Sequence, residues 1–396
     1  MRDKCDFSDR ELLDLCRSLI RTPSLSGRED AVAALLTDYM KAHGFDEIFR
    51  DKYGNLIAHL HGKRPGRQIL FDGHMDTVPV GEKSEWQHDP FGAEVENGCL
   101  FGRGASDMKG ALGAMTVAAG RFLEKMGHDF AGDLYIAGIV HEECFEGVAA
   151  RSVSELVKPD VVIIGEASEL NLKIAQRGRA EIRVETFGVP AHSSNPDKGV
   201  NAVYSMCRLI EELRRLPVPE HAFMGKGIME LTDLKSSPYP GSSVVPEYCL
   251  ATYDRRLLVG ETKESVLKPI RDLIEKMQAE DPAFKARVSF ARGREVCCTG
   301  EVIEDERFFP GWLYEEKEDY IQSVYREMTA SGLTPAITRY DFCTNGSHYA
   351  GEAGIRTLGF GPSREDLAHT IDEYVTLSDL EGAEKGYEAI MRALLR

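Results

Sequence analysis

Two kinds of apolar pattern alternate along the first 176 residues. Apolar residues at helical spacing predict α-helices, whereas short continuous apolar runs predict strands that are buried on both faces. The predicted helices cover 9–21, 29–43 and 109–126, and the predicted strands cover 56–60, 68–71, 135–140 and 161–164. Such an alternation of strands and helices favours an α/β layer fold.

The pattern changes after residue 176. Residues 179–187 alternate apolar and polar side chains, as a strand with one exposed face does. Further helices are predicted at 200–215 and 263–278, strands at 244–253 and 287–290, and then α/β-type elements at 320–330, at 356–359 and from about 379. Ser378 and Glu381 are expected to form a capping box for the last helix. The sequence therefore predicts a larger discontinuous domain, 1–177 and 293–396, with a smaller α+β domain, 178–292, inserted in it.

Acidic residues outnumber basic ones, because 65 Asp and Glu against 48 Lys and Arg give a net charge of −17. That excess repels phosphate backbones, so we expect no nucleic-acid partner. No apolar run approaches the roughly 20 residues of a membrane span, and the charged start of the chain lacks the apolar segment of a signal peptide. Nine cysteines without a CxxC pair indicate reduced thiols. We therefore expect a cytoplasmic protein without a membrane partner.

Histidine and acidic residues follow several of the predicted strands. They are His74 and Asp76 after 68–71, His141, Glu142 and Glu143 after 135–140, and Glu166 after 161–164, joined by Asp107 at a helix start and His369 in a late loop. Because ligands bind at the carboxyl ends of strands in open α/β sheets, these side chains are expected to share one edge. Imidazole and carboxylate suit zinc, and carboxylates also accept manganese or cobalt. Five candidate ligands exceed the needs of one tetrahedral ion that keeps a water, which favours two ions sharing a carboxylate.

Each of these residues also has an ordinary structural explanation. Asp107 could cap its helix, a lone histidine could be a hydrogen-bonded core residue, and Glu142 with Glu143 could form a solvated surface. The two glutamates directly follow a buried run, which argues against solvation. Other enzyme classes lack their signals, since the sequence has no complete GxGxxG, no GxxxxGK[ST] and no GxSxG motif.

Five motifs in order resemble those of a known family. GHMDTVP, GRGASDMKG, VHEE, IIGEAS and the late histidine are similar to the co-catalytic zinc aminoacylase and carboxypeptidase family, which includes acetylornithine deacetylase, succinyl-diaminopimelate desuccinylase and glutamate carboxypeptidase. The resemblance runs from about Glu11 to Leu395. Within the family, the chain looks most similar to a subgroup of hydrolases linked to selenium metabolism, a label that names no substrate.

The resemblance implies a zinc-peptidase-like catalytic domain with a mixed sheet, and it makes the inserted domain a lid and dimerisation domain. It assigns one metal ion to His74 and Glu166 and the other to Glu143 and His369, with Asp107 bridging both. Asp76 would orient the histidine two residues before it. Glu142 would be the general base.

The resemblance also assigns roles within the inserted segment. His192, in GVPAHSSNP, would reach the active site of a partner subunit and stabilise the oxyanion. Arg256 falls at the position that grips a substrate carboxylate, and Arg255, one residue away, is the alternative; a guanidinium suits this role because it binds a carboxylate through two hydrogen bonds. The chain departs from the family at His141, where aspartate is common, and in the loop 344–348, which is expected to help cradle the substrate.

These features predict a dinuclear-metal amidohydrolase or peptidase of deacylase, carboxypeptidase or dipeptidase type. We expect it to cleave an amide or peptide bond of a small N-acyl amino acid or dipeptide-like substrate with a free carboxylate, using a metal-bridged water and Glu142 as general base. The expected cofactors are two divalent ions, zinc before cobalt or manganese, and the expected assembly is a homodimer. The alternative is a metal-binding or scaffold protein of the same fold that has lost catalysis.

Overall fold

The computed structural model describes residues 9–396. Residues 1–8 lie outside the described residues. The predicted first domain and the charged start of the chain both begin there. The chain forms two compact units, of which the second comprises Arg177–Gly293 and Asp305–Trp312 and the first contains the rest. The boundaries predicted from the sequence place 305–312 in the larger domain, whereas these residues belong to the second unit. The roles of the two segments as catalytic domain and lid or dimerisation domain stay a prediction.

The α-helices found between residues 9 and 396, α1 to α8 in chain order, are Arg10–Ile20, Asp30–Ala42, Lys109–Met126, Ala150–Val157, Ala202–Leu213, Lys263–Glu280, Asp319–Ala330 and Leu377–Leu394. None of these helices combines the length and the apolar character that crossing a bilayer requires.

The strands of the same part of the chain, β1 to β21, are Glu47–Arg50, Leu56–His61, Arg64–His74, Val95–Glu96, Cys99–Phe101, Ala131–Ile139, Val161–Ile164, Leu172–Gln176, Gly178–Phe187, Glu220–His221, Gly225–Lys226, Ile228–Ser237, Tyr248–Leu257, Lys285–Phe290, Arg292–Val296, Val302–Glu306, Phe308–Phe309, Trp312–Leu313, Ile337–Tyr340, Arg356–Gly359 and Tyr374–Thr376.

A nine-stranded mixed sheet forms the centre of the first unit. Its order is β1-β2-β6-β3-β7-β20-β8-β18, and β19 pairs with β8. β3 runs parallel to both of its neighbours, β6 and β7, whereas β1 and β2 add an antiparallel edge. Strand β3 is fully buried from Ile69 to Phe71, as its continuous apolar run predicts.

Helix α3 packs against both α1 and α8, and its residues from Lys109 to Gly120 are all buried. Small residues permit this close packing. A Cβ atom on Gly113 would lie 2.7 Å from the Sγ atom of Cys16 on α1, whereas the nearest atom to a Cβ on Gly120 would be 3.6 Å away. The distance between α1 and α3 therefore requires a small residue at Gly113, whereas Gly120 has room for a methyl group.

The second unit is a smaller α+β layer. Its antiparallel sheet has the order β12-β13-β9-β14, with β17 also on β9. The alternation predicted for β9 is observed, since Ile182 and Val184 are buried in a core with Met206 of α5 and Ile270 of α6. Together the two units confirm the predicted fold class, an α/β chain with a mixed sheet and a smaller α+β insertion.

The predicted start of the last helix is wrong. Helix α8 begins at Leu377, and the side chain of Thr376 accepts a hydrogen bond from the N–H of Asp379 (3.0 Å). Ser378 therefore lies inside the helix and does not cap it. The reason is that β21 leads directly into α8, which places its last residue, Thr376, at the cap.

Two features of the second sheet also differ from the expectation. The strand predicted at 244–253 is observed at Tyr248–Leu257. Pro246 precedes this strand, and proline has no N–H to donate to a sheet. β12 was not predicted, because most of its residues are partly or fully exposed and the strand has no clear apolar alternation.

We predict opposite effects for alanine at two glycines of α3. Gly113→Ala forces a methyl group against Cys16, and overpacking of this kind destabilises a core by about 1–3 kcal/mol. Gly120→Ala is the matched control, because its added methyl group meets only ordinary contacts and alanine favours a helix by about 0.5–1 kcal/mol. Denaturant unfolding of the two variants measures the difference. Equal stability of both variants would contradict the proposed close packing of α1 and α3.

Candidate metal centre

The candidate ligands on strands come from three neighbouring strands. β6, β3 and β7 are adjacent and parallel. His74 ends β3 and pairs with Ile139, the last residue of β6, while β7 ends two residues before Glu166. Because parallel strands present their carboxyl ends at the same edge, Glu142 and Glu143 emerge beside His74.

A turn directly after β6 brings both glutamates to this edge. In an extended chain, Glu142 and Glu143 would face opposite sides. His141 instead adopts a left-handed conformation with a φ of 55°. As a result, each glutamate places a carboxylate oxygen within 4.8 Å of a ring nitrogen of His74.

The carboxylate of Asp107 lies between two imidazoles. Its Oδ1 atom is 2.8 Å from His74 Nε2, and its Oδ2 atom is 3.1 Å from His369 Nε2. Glu166 Oε1 lies 3.5 Å from the same nitrogen of His74, and Glu143 Oε2 lies 2.9 Å from that of His369. The five residues predicted as ligands therefore converge as two imidazole–carboxylate pairs, one on each side of Asp107.

The capping explanation for Asp107 is wrong. The N-cap position of α3 is occupied by Met108, and no side chain makes a hydrogen bond at that cap. The carboxylate oxygens of Asp107 face His74 and His369 instead. Asp107 precedes α3 in the sequence, but its carboxylate belongs to the cluster of imidazoles and carboxylates.

A buried ion pair holds the Asp107 loop. Glu373 Oε1 accepts hydrogen bonds from the N–H groups of Ser106 (2.8 Å) and Asp107 (3.0 Å), and its Oε2 atom pairs with Arg103 Nη1 (2.5 Å). Arg103 and Glu373 are both almost fully buried. Since Glu373 follows His369 by four residues, this pair ties together the two loops that supply Asp107 and His369.

Asp76 is buried next to His74, but its strongest contacts are with other residues. His74 Nδ1 donates to the main-chain carbonyl of Asp76 (2.9 Å), whereas the Asp76 carboxylate is 3.6 Å from that nitrogen. The carboxylate accepts hydrogen bonds from the N–H groups of Glu142 (3.1 Å) and Glu143 (3.3 Å) and from the hydroxyl of Ser26 (2.7 Å). Asp76 thus fixes the glutamate turn as well as lying beside the histidine.

The two departures from the family lie near the cluster but not in it. The ring of His141 contacts the carbonyl of Val296 (Nε2–O 3.2 Å). In the loop 344–348, Asn345 donates to Asp72 Oδ1 (2.9 Å), and Tyr349 donates to the other oxygen (2.8 Å). This loop therefore supports β3 two residues before His74.

The pKa values of the cluster show an excess of negative charge in a buried volume. Hydrogen bonds to Asp107 and Glu143 raise the pKa of His369 to about 10. Burial, assisted by Asp107, raises the pKa of Glu143 to about 7. Burial also raises the pKa values of Glu142 and Glu166 well above their usual range. Cations at this position would lower the electrostatic cost of ionising these carboxylates.

The donor set fits divalent cations. The Oε1 atoms of Glu142 and Glu143 are buried and have no hydrogen-bond partner among residues 9–396. Such oxygens are costly unless they find a partner, and a cation would provide one. Two imidazoles and several carboxylates are the ligands that zinc, cobalt and manganese accept.

The two predicted substrate residues belong to the second unit. His192 is exposed, and its Nδ1 accepts hydrogen bonds from the N–H (3.1 Å) and hydroxyl (2.8 Å) of Ser194. Arg255 is buried on the helix side of β13 and pairs with Glu261 (2.5 Å). Arg256 points to the other face of the strand and is 31% exposed, with its Nε 2.9 Å from Asp254 Oδ1.

Several residues that organise the cluster were not found from the sequence. They include Ser26, Asp72, Arg103 and Glu373. Arg103 lies within the GRGASDMKG motif, but nothing in the sequence pairs it with a glutamate 270 residues away. The role of Arg103 could be recognised only from its ion pair with Glu373, which the sequence does not show.

The chain is similar to known proteins over nearly its whole length. Peptidase family M20/M25/M40 matches residues 70–393. The chain is 31% identical to the uncharacterized protein YgeY of Escherichia coli K12, over 98% of this chain and 95% of that protein. It is 26% identical to succinyl-diaminopimelate desuccinylase 2 of Ruegeria sp. TM1040, over 96% and 94% of the two chains. Its fold matches that of the YxeP protein of Bacillus subtilis, a dinuclear metal-binding peptidase of the M20 family, with a TM-score of 0.70 at 14% identity, covering 97% of each chain.

The chain therefore belongs to peptidase family M20/M25/M40. It is a metal-dependent hydrolase, and the predicted resemblance to zinc aminoacylases and carboxypeptidases is confirmed. The likeness to the selenium-linked subgroup stays a prediction.

We predict that Arg103→Met destabilises the first unit strongly. The change leaves Glu373 buried without its cation, and breaking a buried ion pair in this way costs about 3–5 kcal/mol. The double variant Arg103→Met/Glu373→Gln removes the unpaired charge and should recover part of the loss. Thermal unfolding of Arg103→Met, Glu373→Gln and the double variant measures the coupling between the two residues. Strictly additive effects would show that the pair does not hold the loop.

Proposed function

We propose that this protein hydrolyses the amide or peptide bond of a small N-acyl amino acid or dipeptide-like substrate that carries a free carboxylate. The observation that carries the proposal is the position of Asp107, whose two oxygens face the imidazoles of His74 and His369. A shared carboxylate between two imidazole–carboxylate pairs suits a pair of cations better than one.

The residues on the two sides of Asp107 divide into two ligand sets. His74 and Glu166 would hold one divalent ion, and Glu143 and His369 would hold the other, with Asp107 shared by both. Zinc is the proposed metal, and cobalt or manganese would suit the same donors. When bound, such ions polarise a substrate carbonyl and make water more acidic.

Glu142 is the proposed general base and, later, the general acid. Its carboxylate lies within 4.8 Å of donor atoms of His74 and Glu166, and its Oε1 atom has no other partner in the described part of the chain. Asp76 holds the main chain of Glu142 in place. The carboxylate accepts a proton from the attacking water and returns it to the nitrogen of the leaving amine.

The second unit supplies the proposed substrate contacts. Arg256 is favoured over Arg255 for gripping the carboxylate, because Arg255 is buried and engaged with Glu261. His192 would stabilise the oxyanion in the active site of a partner subunit, so the proposed assembly is a homodimer. Its molar mass in solution, measured by light scattering, tests that assembly.

Deacylation and peptide cleavage both break an amide bond and use the same proposed residues. The similarity to a succinyl-diaminopimelate desuccinylase supports the first, and the fold shared with an M20 peptidase is compatible with the second. A scaffold that has lost catalysis is disfavoured, because Glu142 and all five candidate ligands are present and converge.

We predict that Glu142→Gln lowers kcat by about 10²- to 10⁴-fold, the usual contribution of general acid–base catalysis. The metal content should stay at the wild-type level, because Glu142 is not among the proposed ligands. Asp107→Asn should lose metal as well as activity, since a neutral amide cannot replace a shared carboxylate. Turnover on a panel of N-acyl amino acids and dipeptides, together with elemental analysis, separates the two variants.

Glu155→Gln, on the exposed side of α4, is the control, because it makes the same chemical change away from the cluster. Full turnover in Glu142→Gln would rule out its role as base. Absence of turnover in the wild type with zinc, cobalt and manganese would favour the scaffold alternative.

We predict that Arg256→Ala raises KM for substrates with a free carboxylate. The expected rise is about tenfold or more, since a hydrogen bond to a charged group contributes about 1.5–3 kcal/mol. Arg256→Lys should return KM only part of the way to the wild-type value, because lysine lacks the planar guanidinium that binds a carboxylate through two hydrogen bonds. Arg255→Ala should instead lower the stability of the second unit. Steady-state kinetics and thermal unfolding of all three variants test this assignment, and an unchanged KM in Arg256→Ala would refute it.

A further inference from the structure

We propose that the first unit carries a second, independent divalent-cation site on the surface of β1, β2 and β6, formed by Glu47, His59 and His61 and oriented by Asp133. None of these residues belongs to the cluster around Asp107. The site lies at the antiparallel edge of the sheet, whereas the proposed catalytic ligands lie at strand ends and in loops.

The sheet register places the four side chains on one face. Glu47 of β1 is the cross-strand partner of His59 on β2. His61 is the partner of Asp133 on β6. Because His59 and His61 are two residues apart on one strand, their side chains project from the same side. Cross-strand partners also share a face, so the pattern of two histidines and two carboxylates follows directly from the pairing.

Asp133 contacts one nitrogen of each imidazole. Its Oδ1 atom is 3.0 Å from His59 Nε2 and 3.1 Å from His61 Nδ1. Since an ionised carboxylate can only accept, both of these nitrogens are the N–H donors when the rings are neutral. The lone pairs are then on His59 Nδ1 and His61 Nε2. A carboxylate in this position is the arrangement that orients metal-binding histidines in proteins.

The two remaining nitrogens both face Glu47. His59 Nδ1 lies 3.9 Å from Glu47 Oε2, and His61 Nε2 lies 3.8 Å from Glu47 Oε1. One donor atom from each of the three residues lies within 4.8 Å of the others. Atoms that share a tetrahedral cation at about 2.0–2.2 Å are about 3.3–3.6 Å apart, so the two nitrogen–oxygen distances need to shorten only slightly to close the site.

The site is held firmly on one side and open on the other. The ring of His59 is only 6% exposed and stacks on Tyr135 at a centroid distance of 4.1 Å, with the planes 11° apart. Glu47 is 61% exposed and His61 is 52% exposed, so a cation can arrive from solvent. A third carboxylate, that of Asp46, accepts from the N–H of His61 (2.8 Å) and adds negative charge nearby.

The donors select the class of cation. Two imidazoles with one carboxylate favour zinc, nickel, copper or cobalt, whereas magnesium and calcium prefer oxygen ligands. Three protein donors leave a coordination position for water. A bound ion would link the edge strand β1 to β2, and it would stabilise the folded chain in proportion to its occupancy.

Equilibrium dialysis of the full-length protein against Zn²⁺, followed by elemental analysis, tests the site. Wild type should bind one equivalent more than His61→Gln, a half-exposed position where the change does not disturb the core. Asp133→Asn keeps both imidazoles and should weaken the extra site by about 10- to 100-fold. His43→Gln is the matched control, because His43 also pairs with a carboxylate, Glu11 (2.8 Å), and should bind as the wild type does.

A second measurement identifies the ligands. In an Asp107→Asn background, Cu²⁺ bound at this site should show nitrogen hyperfine coupling from two imidazoles, a signal that the further change His61→Gln should abolish. Equal Zn²⁺ stoichiometry and affinity in wild type and His61→Gln would overturn the proposal and leave a hydrogen-bonded surface network. The Zn²⁺ comparison repeated in an Asp107→Asn background should give the same one-equivalent difference, which would show that the result does not depend on the proposed catalytic centre. His61→Gln should also retain the hydrolytic activity of the wild type.

Discussion

The placement of one carboxylate, that of Asp107, between two imidazoles is the interaction on which the proposed metal centre depends. The imidazoles of His74 and His369, which are far apart in the sequence, both lie beside this single buried carboxylate. The neighbouring glutamates add more negative charge to this buried volume, and burial together with the surrounding carboxylates raises the pKa values of Glu142 and Glu166. The protein tolerates this arrangement because divalent cations are the natural complement of such a donor set.

The chain supports the cluster mainly through main-chain hydrogen bonds to buried carboxylates. Asp76 accepts from the glutamate turn, and Glu373 accepts from the Asp107 loop. In each case a carboxylate outside the proposed ligand set fixes the backbone on which a ligand sits. Arg103 compensates the charge of Glu373, so the support does not add a further unpaired charge to the site. The main chain that carries the proposed ligands is thus held by hydrogen bonds to buried carboxylates.

The two proposed cation sites illustrate different uses of a β-sheet. At the carboxyl ends of parallel strands, loops and turns are free to converge, so ligands come from five separate segments. On the face of β1, β2 and β6, the positions of Glu47, His59 and His61 are fixed by strand register alone. The second arrangement is open to solvent on the side of Glu47 and His61, which suits a structural ion better than catalysis. Both sites orient histidines through groups that are not themselves proposed ligands.

Local patterns in the sequence determined the main elements and most of the candidate ligands. Helical spacing predicted α1 and α7 to within a residue or two, and strand ends marked His74 and Glu166, because periodicity and motifs are properties of neighbouring residues. Tertiary structure alone decided that the ring of His141 contacts Val296 and that Glu373 pairs with Arg103. These contacts depend on strand register and on the packing of loops that are distant in sequence. No local pattern records such distances, since they arise only when the whole sheet is assembled.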